Sequence, residues 1–394
     1  MVSTLVLSVG GSPEPLLGHL SAAHWDRVVF VASDDDPVSG KPGTHAAVPA
    51  LAADAGLDEA RYAVVRVPAD EPGAILERCL ACLRAERAPG ARLVVDYTGG
   101  TKSMSAMLLL AALTTQAEVE VVLGPRTDHH KVRSGTEHIV SIDTSGLESR
   151  FALDVAALAW GRFDYAAAVE ALGGLRRPSP EASRALALSR GYAAWAAFDY
   201  ADARERLAPL ARFVPSMPSL GALASPPSKR SDAARAFDLW LASERHARAT
   251  RYDLAVLLVY RANEAIAQWA LRWEHGIDPG DVEPSSPVAD LTTPSYDDKR
   301  VLGQHAAWEA LDRLEGSLAA VARETARPRL DLSKQRNGSV LAHGHAPLSA
   351  EAHARVRDWF AQHLLPSFVQ VAFPKQEPPT QLPDALPDQE LRTR

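Results

Sequence analysis

The sequence has little cysteine and no long hydrophobic run, and both absences restrict the class of protein it encodes. Its two cysteines, Cys79 and Cys82, have no second pair to complete a zinc site, so we expect them to pack within a helix. Apolar runs such as Met107–Leu113 are far shorter than the ~20 residues that span a bilayer. The N-terminus lacks the basic stretch and cleavable apolar segment of a secretory signal. We therefore expect a cytoplasmic protein that does not bind membranes.

Positive charge is not in excess either, because the formal net charge at pH 7 is −7. A broad, nonspecific coat of nucleic acid usually needs a clearly basic surface. No helix-turn-helix with a basic face is evident, so no DNA partner is expected. A nuclease whose few basic groups lie in a cleft is still compatible with this charge. The length of 394 residues favours two or three domains.

The N-terminal part of the chain alternates between strand-like and helix-like segments. The predicted strands are Thr4–Val9, Arg27–Ala32, Tyr62–Val67, Arg92–Tyr97, Val119–Leu123 and His138–Asp143. The clearest helices between them are Gly73–Glu86 and Ser103–Thr115. Strands separated by helices form a mostly parallel sheet that is covered on both faces, so we predict a Rossmann-like α/β domain over residues 1–147. Ligands of such sheets bind beyond the carboxyl ends of the strands.

From Phe151 onward the sequence is Ala-rich and helical, and it contains an internal repeat. Trp160-Gly-Arg-Phe-Asp-Tyr165 is echoed 35 residues later by Trp195-Ala-Ala-Phe-Asp-Tyr200, with a fainter echo at Arg251-Tyr-Asp253. A period of about 34 residues is typical of tetratricopeptide helix pairs. Two or three such units are too few for a free-standing solenoid. We therefore predict a helical bridge over residues 148–245 that docks the first domain onto the last.

The remaining helices form a compact C-terminal bundle, predicted over residues 246–373. Its helices are Arg251–Glu274, Gly303–Ala326 and Ala350–His363. The stretches Val214–Ser231 and Gly276–Ser295 are expected to be mobile linkers. The proline-rich, polar segment Pro374–Arg394 is expected to be a disordered tail.

The segment Asp96–Met104 follows a buried-type strand and opens a helix. Paired glycines let the backbone approach a ligand closely, and amides at a helix N-terminus suit phosphate. Lys102 follows Thr101 instead of glycine, so this is not a Walker motif. The glycine pair after the first strand and a loop after the fifth lie at the same sheet edge. The candidate ligand site comprises Gly10, Gly11, Ser12, Thr98, Gly99, Gly100, Thr101, Lys102, Ser103 and Arg126.

A second candidate site lies in the segment Arg336–Gly344. Ser339 has no nucleophile-elbow setting, and no cysteine lies nearby, so acyl transfer is excluded. His343 and His345, like His129 and His130, lack acidic partners, so no metal is expected. An arginine fork can hold a phosphodiester, a histidine can move protons at neutral pH, and Asn337 can orient one of these groups. Arg336, Asn337 and His343 are therefore the candidate catalytic residues for metal-free RNA cleavage.

Together the two segments resemble the CARF–HEPN ribonucleases that accompany type III CRISPR systems. Asp-Tyr-Thr-Gly-Gly-Thr-Lys at 96–102 is similar to the ligand loop of the CARF (CRISPR-associated Rossmann fold) domain. Arg336-Asn337-x5-His343 is similar to the HEPN signature, in which an arginine, often followed by a polar residue, precedes a histidine. The helix that carries Tyr260-Arg-Ala-Asn-Glu264 also resembles the first HEPN helix.

This resemblance implies a homodimer whose two CARF domains bind one cyclic oligoadenylate, the tetramer cA4 or the hexamer cA6, as an allosteric activator. It also implies that both HEPN domains cleave single-stranded RNA without a cofactor, by 2′-hydroxyl attack that leaves a 2′,3′-cyclic phosphate. Two alternatives stay open. In the first, the chain is a ligand-sensing adaptor with an inert HEPN domain. In the second, it is a ring nuclease that degrades cyclic oligoadenylate in its CARF domain.

Overall fold

The computed structural model describes residues 2–36, 40–124, 126–127, 131–132, 136, 138–295 and 297–387, with only the backbone at 126–127 and 131–132. The chain forms two compact units, Met1–Arg150 and Phe151–Arg394. The boundary lies three residues beyond the predicted limit of 147 for the first domain. None of the described helices combines the length and the apolar character needed to cross a membrane.

The first unit is built on a six-stranded sheet in the order β3-β2-β1-β4-β5-β8. Its strands are β1 (Ser3–Ser8), β2 (Arg27–Ser33), β3 (Tyr62–Val67), β4 (Arg92–Asp96), β5 (Glu118–Leu123) and β8 (His138–Ile142), with a short hairpin of β6 (Arg126–Thr127) and β7 (Lys131–Val132) between the last two. All pairs in the sheet are parallel except β5 with β8. The six predicted strands and the mostly parallel Rossmann-like sheet are thus confirmed.

Helices cover both faces of this sheet because successive strand residues point in opposite directions. Val6, Val29 and Val95 belong to one core cluster, while Leu5, Leu7 and Phe30 belong to the other. The helices of this unit are α1 (Glu14–Ala22), α2 (Val48–Asp54), α3 (Pro72–Glu86) and α4 (Lys102–Thr115). The strand order reverses between β1 and β4, so the loops that follow these two strands lie side by side.

The second unit is helical. Its helices are α5 (Ser145–Trp160, which begins before the unit boundary), α6 (Tyr165–Gly173), α7 (Pro180–Ala196), α8 (Tyr200–Leu207), α9 (Met217–Leu223), α10 (Lys229–Arg248), α11 (Tyr252–Glu274), α12 (Gln304–Leu314), α13 (Ala319–Glu324), α14 (Ala326–Gly338), α15 (Ala350–Trp359) and α16 (Leu365–Ala372), with a two-stranded ladder of β9 (Thr293–Pro294) and β10 (Arg300–Val301).

One turn geometry joins the helices of all three predicted repeats. Phe163, Phe198 and Thr250 are left-handed, with φ of 56°, 64° and 58°. In each turn the next residue donates its N–H to the carbonyl five residues earlier, at 2.9, 3.0 and 2.9 Å, which is the Schellman arrangement of a helix C-terminus. The hairpin of α10 and α11 is therefore a third structural repeat, although its turn lies two residues before the position that the faint sequence echo indicated.

Helix α10 packs with both the repeats and the bundle. The boundary predicted at 245/246 instead separates the two regions. Phe237 and Trp240 lie in the core of the C-terminal bundle, whereas Ala234 packs with the first repeats. Asp238 is buried, accepts from Trp195 Nε1 at 3.3 Å and lies 3.3 Å from Arg245 Nη1. The predicted boundary lies inside this helix.

Three predictions of irregular or continuous structure are wrong. The supposed linker Val214–Ser231 contains α9 and the start of α10, and the helix predicted over 303–326 is broken at Glu315, where φ is +53°. The part of the supposed disordered tail that the structure describes packs on the first repeats. Leu382 and Leu386 are buried there, and Pro383 O accepts from Tyr165 Oη at 2.7 Å. Apolar residues spaced among the prolines give this segment a surface to bury.

The three turns predict a stabilising substitution. Asp164 and Asp199 cap their helices by accepting from the N–H three residues on, but Arg251 provides no side-chain cap. We expect Arg251→Asn to raise the free energy of unfolding by about 1 kcal/mol, because asparagine is a preferred N-cap residue. The exposed ion pair with Asp164, at 3.8 Å, contributes little. Denaturant unfolding measures the change, and equal stability of Arg251→Asn and Arg251→Ala would contradict it.

Candidate functional site

The two glycine-containing loops of the predicted ligand site meet at the switch point of the sheet. A Cβ atom on Gly10 would lie 2.8 Å from the nitrogen of Gly100, and one on Gly99 would lie 2.3 Å from the oxygen of Ser8. Both glycines are required because the backbones touch. Gly100 has a φ of +87°, which favours glycine for a second reason. The structure thus brings the predicted loops at 10–12 and 98–103 together.

Hydroxyl groups hold these loops together, and the ligand contacts of Thr101 and Ser103 stay a prediction. Thr101 Oγ1 donates to Ala69 O at 2.6 Å and caps α4 by accepting from Met104 N. The Ser103 hydroxyl lies 3.3 Å from Asp70 Oδ1. Lys102 is exposed, and no carboxylate of a described residue forms an ion pair with it. The helix itself offers no acceptor to the amides of Lys102 and Ser103, so a cation and two amides face outward here.

A buried ionic network lies directly behind this loop. Asp96 is completely buried, and its Oδ1 accepts from the backbone N–H of Thr98 at 2.8 Å and from the Thr98 hydroxyl. Its Oδ2 accepts from Nδ1 of His19, which is 1% exposed, at 2.7 Å. His19 Nε2 lies 2.8 Å from Glu120 Oε2, and Glu120 pairs with Arg92 at 3.1 Å. The network joins α1, β4 and β5 to the ligand loop.

These contacts shift two ionisation equilibria. Burial alone would lower the pKa of His19, but its hydrogen bonds and charge interactions with Asp96 and Glu120 outweigh burial and raise the pKa to about 9. The hydrogen bond with His19 lowers the pKa of Glu120 more than burial raises it. His19 is therefore a buried imidazolium at neutral pH. No sequence pattern indicated His19, although a glutamate within the apolar β5 was a signal that a buried charge needed a partner.

Some predicted residues cannot be placed at this site. The side chain of Arg126 lies outside the described residues, as do His129 and His130 entirely. Within the described residues, no group of three or more histidine, cysteine, aspartate or glutamate side chains could hold a metal ion.

The candidate catalytic motif occupies the end of α14 and the loop that follows it. This loop folds back on the helix, because His343 N donates to Asn337 O at 3.3 Å and Gly344 N donates to Ser339 O at 3.2 Å. The buried Ser339 closes the loop through its hydroxyl, which donates to Arg336 O at 2.9 Å. The backbones of the three predicted residues therefore lie together, with Asn337 and His343 exposed to solvent and Arg336 half-buried.

Arg336 has neutral partners only. Its Nη1 donates to Asn337 Oδ1 at 2.8 Å, and its guanidinium carbon lies 5.1 Å from the centre of the Tyr260 ring. Among the described residues no carboxylate forms an ion pair with Arg336, whereas Arg323 pairs with Asp312 at 2.8 Å. The positive charge of Arg336 is thus left available to an anion.

The network behind the ligand loop predicts a pH-dependent stability. Because the folded-state pKa of His19 is raised from 6.5 to about 9, its stabilising contribution is fully present below pH 6.5 and is lost as pH rises through 9. We expect His19→Gln to lower the free energy of unfolding at pH 7 by an amount that shrinks toward pH 10. Denaturant unfolding at both pH values measures this difference.

The exposed His24 supplies the control, because His24→Gln removes a histidine that is 77% exposed. That variant should keep the wild-type dependence on pH. A stability difference between wild type and His19→Gln that is the same at pH 7 and pH 10 would contradict a buried imidazolium.

Comparisons with known proteins agree with this arrangement. Residues 232–365 match the family model of the Csm6 HEPN domain, a segment that contains α11, Arg336 and His343. The fold is similar to the structure of Enterococcus italicus Csm6 bound to cyclic hexa-2′-fluoro-hexa-dAMP, with a TM-score of 0.59 and 13% identity over 96% of each chain. No curated protein matches the chain in sequence.

The family match begins within α10, the helix that contributes to the core of the bundle. The fold match includes the sheet of the first unit. Residues 232–365 are therefore similar to the Csm6 HEPN domain, and the chain shares the fold of the Enterococcus italicus Csm6 structure over almost all of its length.

Proposed function

We propose that this protein is an endoribonuclease that cyclic oligoadenylate activates and that cleaves single-stranded RNA without a metal ion. The observation that carries the proposal is the state of Arg336. Its charge is uncompensated by any described carboxylate, and the same short loop presents Asn337 and the exposed His343. A phosphodiester is the anion that such a group of side chains fits.

The chemistry follows from these residues. The 2′-hydroxyl oxygen attacks phosphorus, the bond from phosphorus to the 5′ oxygen breaks, and a 2′,3′-cyclic phosphate and a 5′-hydroxyl result. His343 moves the proton lost by the attacking hydroxyl or gained by the leaving oxygen. Arg336 stabilises the charge that grows on the phosphate oxygens, and Asn337 orients Arg336 by accepting from its Nη1.

The N-terminal unit supports an anionic activator. Lys102 and the outward amides of α4 lie beside the touching loops of Gly10 and Gly99, and phosphate binds readily at such a helix N-terminus. The solved relative holds a cyclic hexanucleotide analogue. We propose that this chain binds cA4 or cA6 here as a homodimer, since a two-fold pocket presents each residue twice to a cyclic ligand.

Two substitutions should separate binding from cleavage. His343→Ala should abolish cleavage of a fluorescent single-stranded RNA in EDTA while cA4 or cA6 still binds, because it removes proton transfer only. Lys102→Ala should raise the activator concentration needed for half-maximal cleavage, because it removes a phosphate contact. Light scattering of the same samples reports the dimer.

Equal cleavage by wild type and His343→Ala would sink the catalytic role of His343. Wild-type protein that binds a ring but cleaves no RNA is an adaptor, and one that consumes the ring is a ring nuclease.

Two glycines in the catalytic loop provide a matched pair. A Cβ atom on Gly344 would lie 2.0 Å from Gly338 O, whereas one on Gly338 would meet nothing within 4 Å. We expect Gly344→Ala to reduce kcat at least tenfold, because the loop that carries His343 must open and even small misplacements of a catalytic group are costly. Gly338→Ala should keep most of the activity. Similar rates for the two variants would show that the folded-back loop is not the active form.

A further inference from the structure

Tyr260 is in contact with Arg336 but belongs to a different helix. It lies on α11, is partly buried against the core of the bundle, and presents its ring 5.1 Å from the guanidinium carbon. The Nε atom of Arg336 is buried without a hydrogen-bond acceptor among the described residues. The ring and Asn337 Oδ1 therefore fix the position of this guanidinium.

An aromatic support differs chemically from a carboxylate support. Two exposed arginines of the bundle are instead held by acids: Arg357 by Glu244 at 3.0 Å and Arg313 by Asp290 at 2.7 Å. A carboxylate neutralises the cation it holds, whereas a ring face attracts the cation and leaves its charge and its N–H donors for another anion.

Arg329 makes the same kind of contact with an aromatic ring, but its role is to stabilise the fold. It lies 4.6 Å above the ring of Trp308, but it is buried and donates to Ala322 O at 2.8 Å and to the Thr325 hydroxyl. Its donors are used within the protein. Arg336 combines the aromatic support with a side chain that is only half-buried, which is the arrangement that a phosphate-binding arginine needs.

We propose that Tyr260 is a positioning residue for RNA cleavage, which holds the guanidinium of Arg336 through the face of its ring. This role rests on the proposed function. This role requires the aromatic ring of Tyr260 and not its hydroxyl group, because the guanidinium of Arg336 lies over the face of the ring. Loss of one contact of this kind corresponds to about a tenfold change in rate.

Three variants test the ring, with kcat and KM measured at saturating activator. Tyr260→Phe should retain wild-type kcat/KM, and Tyr260→Leu should lose about tenfold. Phenylalanines with increasing fluorine content at position 260 keep the shape of the ring but weaken its negative face, so they should reduce kcat/KM in step with fluorination. This series remains informative even where Tyr260→Leu does not fold.

A control and a coupling measurement separate positioning from general packing. Tyr252→Leu removes another ring of α11, one that lies 6.0 Å from His353, and should leave kcat/KM unchanged. Tyr260→Leu should weaken the binding of an RNA with a 2′-O-methyl group at the cleavage site. In a protein that already carries Arg336→Ala, Tyr260→Leu should cause no further loss of binding.

Full activity in the most fluorinated variant, or equal losses in Tyr260→Phe and Tyr260→Leu, would overturn the role of the ring. Wild-type protein that cleaves no RNA would instead overturn the proposed function and, with it, this role.

Discussion

A carboxylate without access to water must find all of its partners inside the protein, and the first unit is organised around one. Asp96 ends β4 at the switch point of the sheet, where a charge would otherwise be costly. One of its oxygens holds Thr98 in the ligand loop, and the other holds His19 of α1. His19 in turn satisfies Glu120 of β5. The solvent-facing loop at residues 98–103 is therefore held in place by a buried charge.

The second unit depends on a turn that is used three times. Each left-handed residue reverses the chain between two helices, and the third turn leads directly into α11, the helix that carries Tyr260 beneath Arg336. Asp238 of α10 connects this helix to the second repeat by accepting from Trp195 Nε1 and Tyr200 Oη. The repeats and the HEPN bundle are therefore one packed body within this unit, and the candidate catalytic arginine rests on a helix that belongs to both.

Periodic signals were sufficient for most of the fold. Apolar runs located the six strands of the sheet, and the Trp-x-x-Phe-Asp-Tyr echo located two repeats because Trp160 and Trp195 are both fully buried in the same core. Composition failed where proline suggested disorder, since Leu382 and Leu386 bury a segment that is polar on average. The two motifs identified Lys102 and Arg336 as candidate site residues. This was possible because residues a few positions apart in sequence stay close together in any fold. The contacts of His19 with Asp96 and Glu120, and that of Tyr260 with Arg336, join residues that are far apart in sequence. Contacts of this kind cannot be predicted from a single sequence.

The sharing of α10 between the repeats and the bundle has an evolutionary consequence. A domain that ends in a loop can be exchanged between genes by recombination at that loop, but this bundle has one face of its first helix committed to the preceding helices. A nuclease domain grafted from a relative would have to bring the last helical pair with it, together with a surface that matches Trp195 and Tyr200 around Asp238. Substitutions at this buried contact are therefore coupled between the repeats and the bundle.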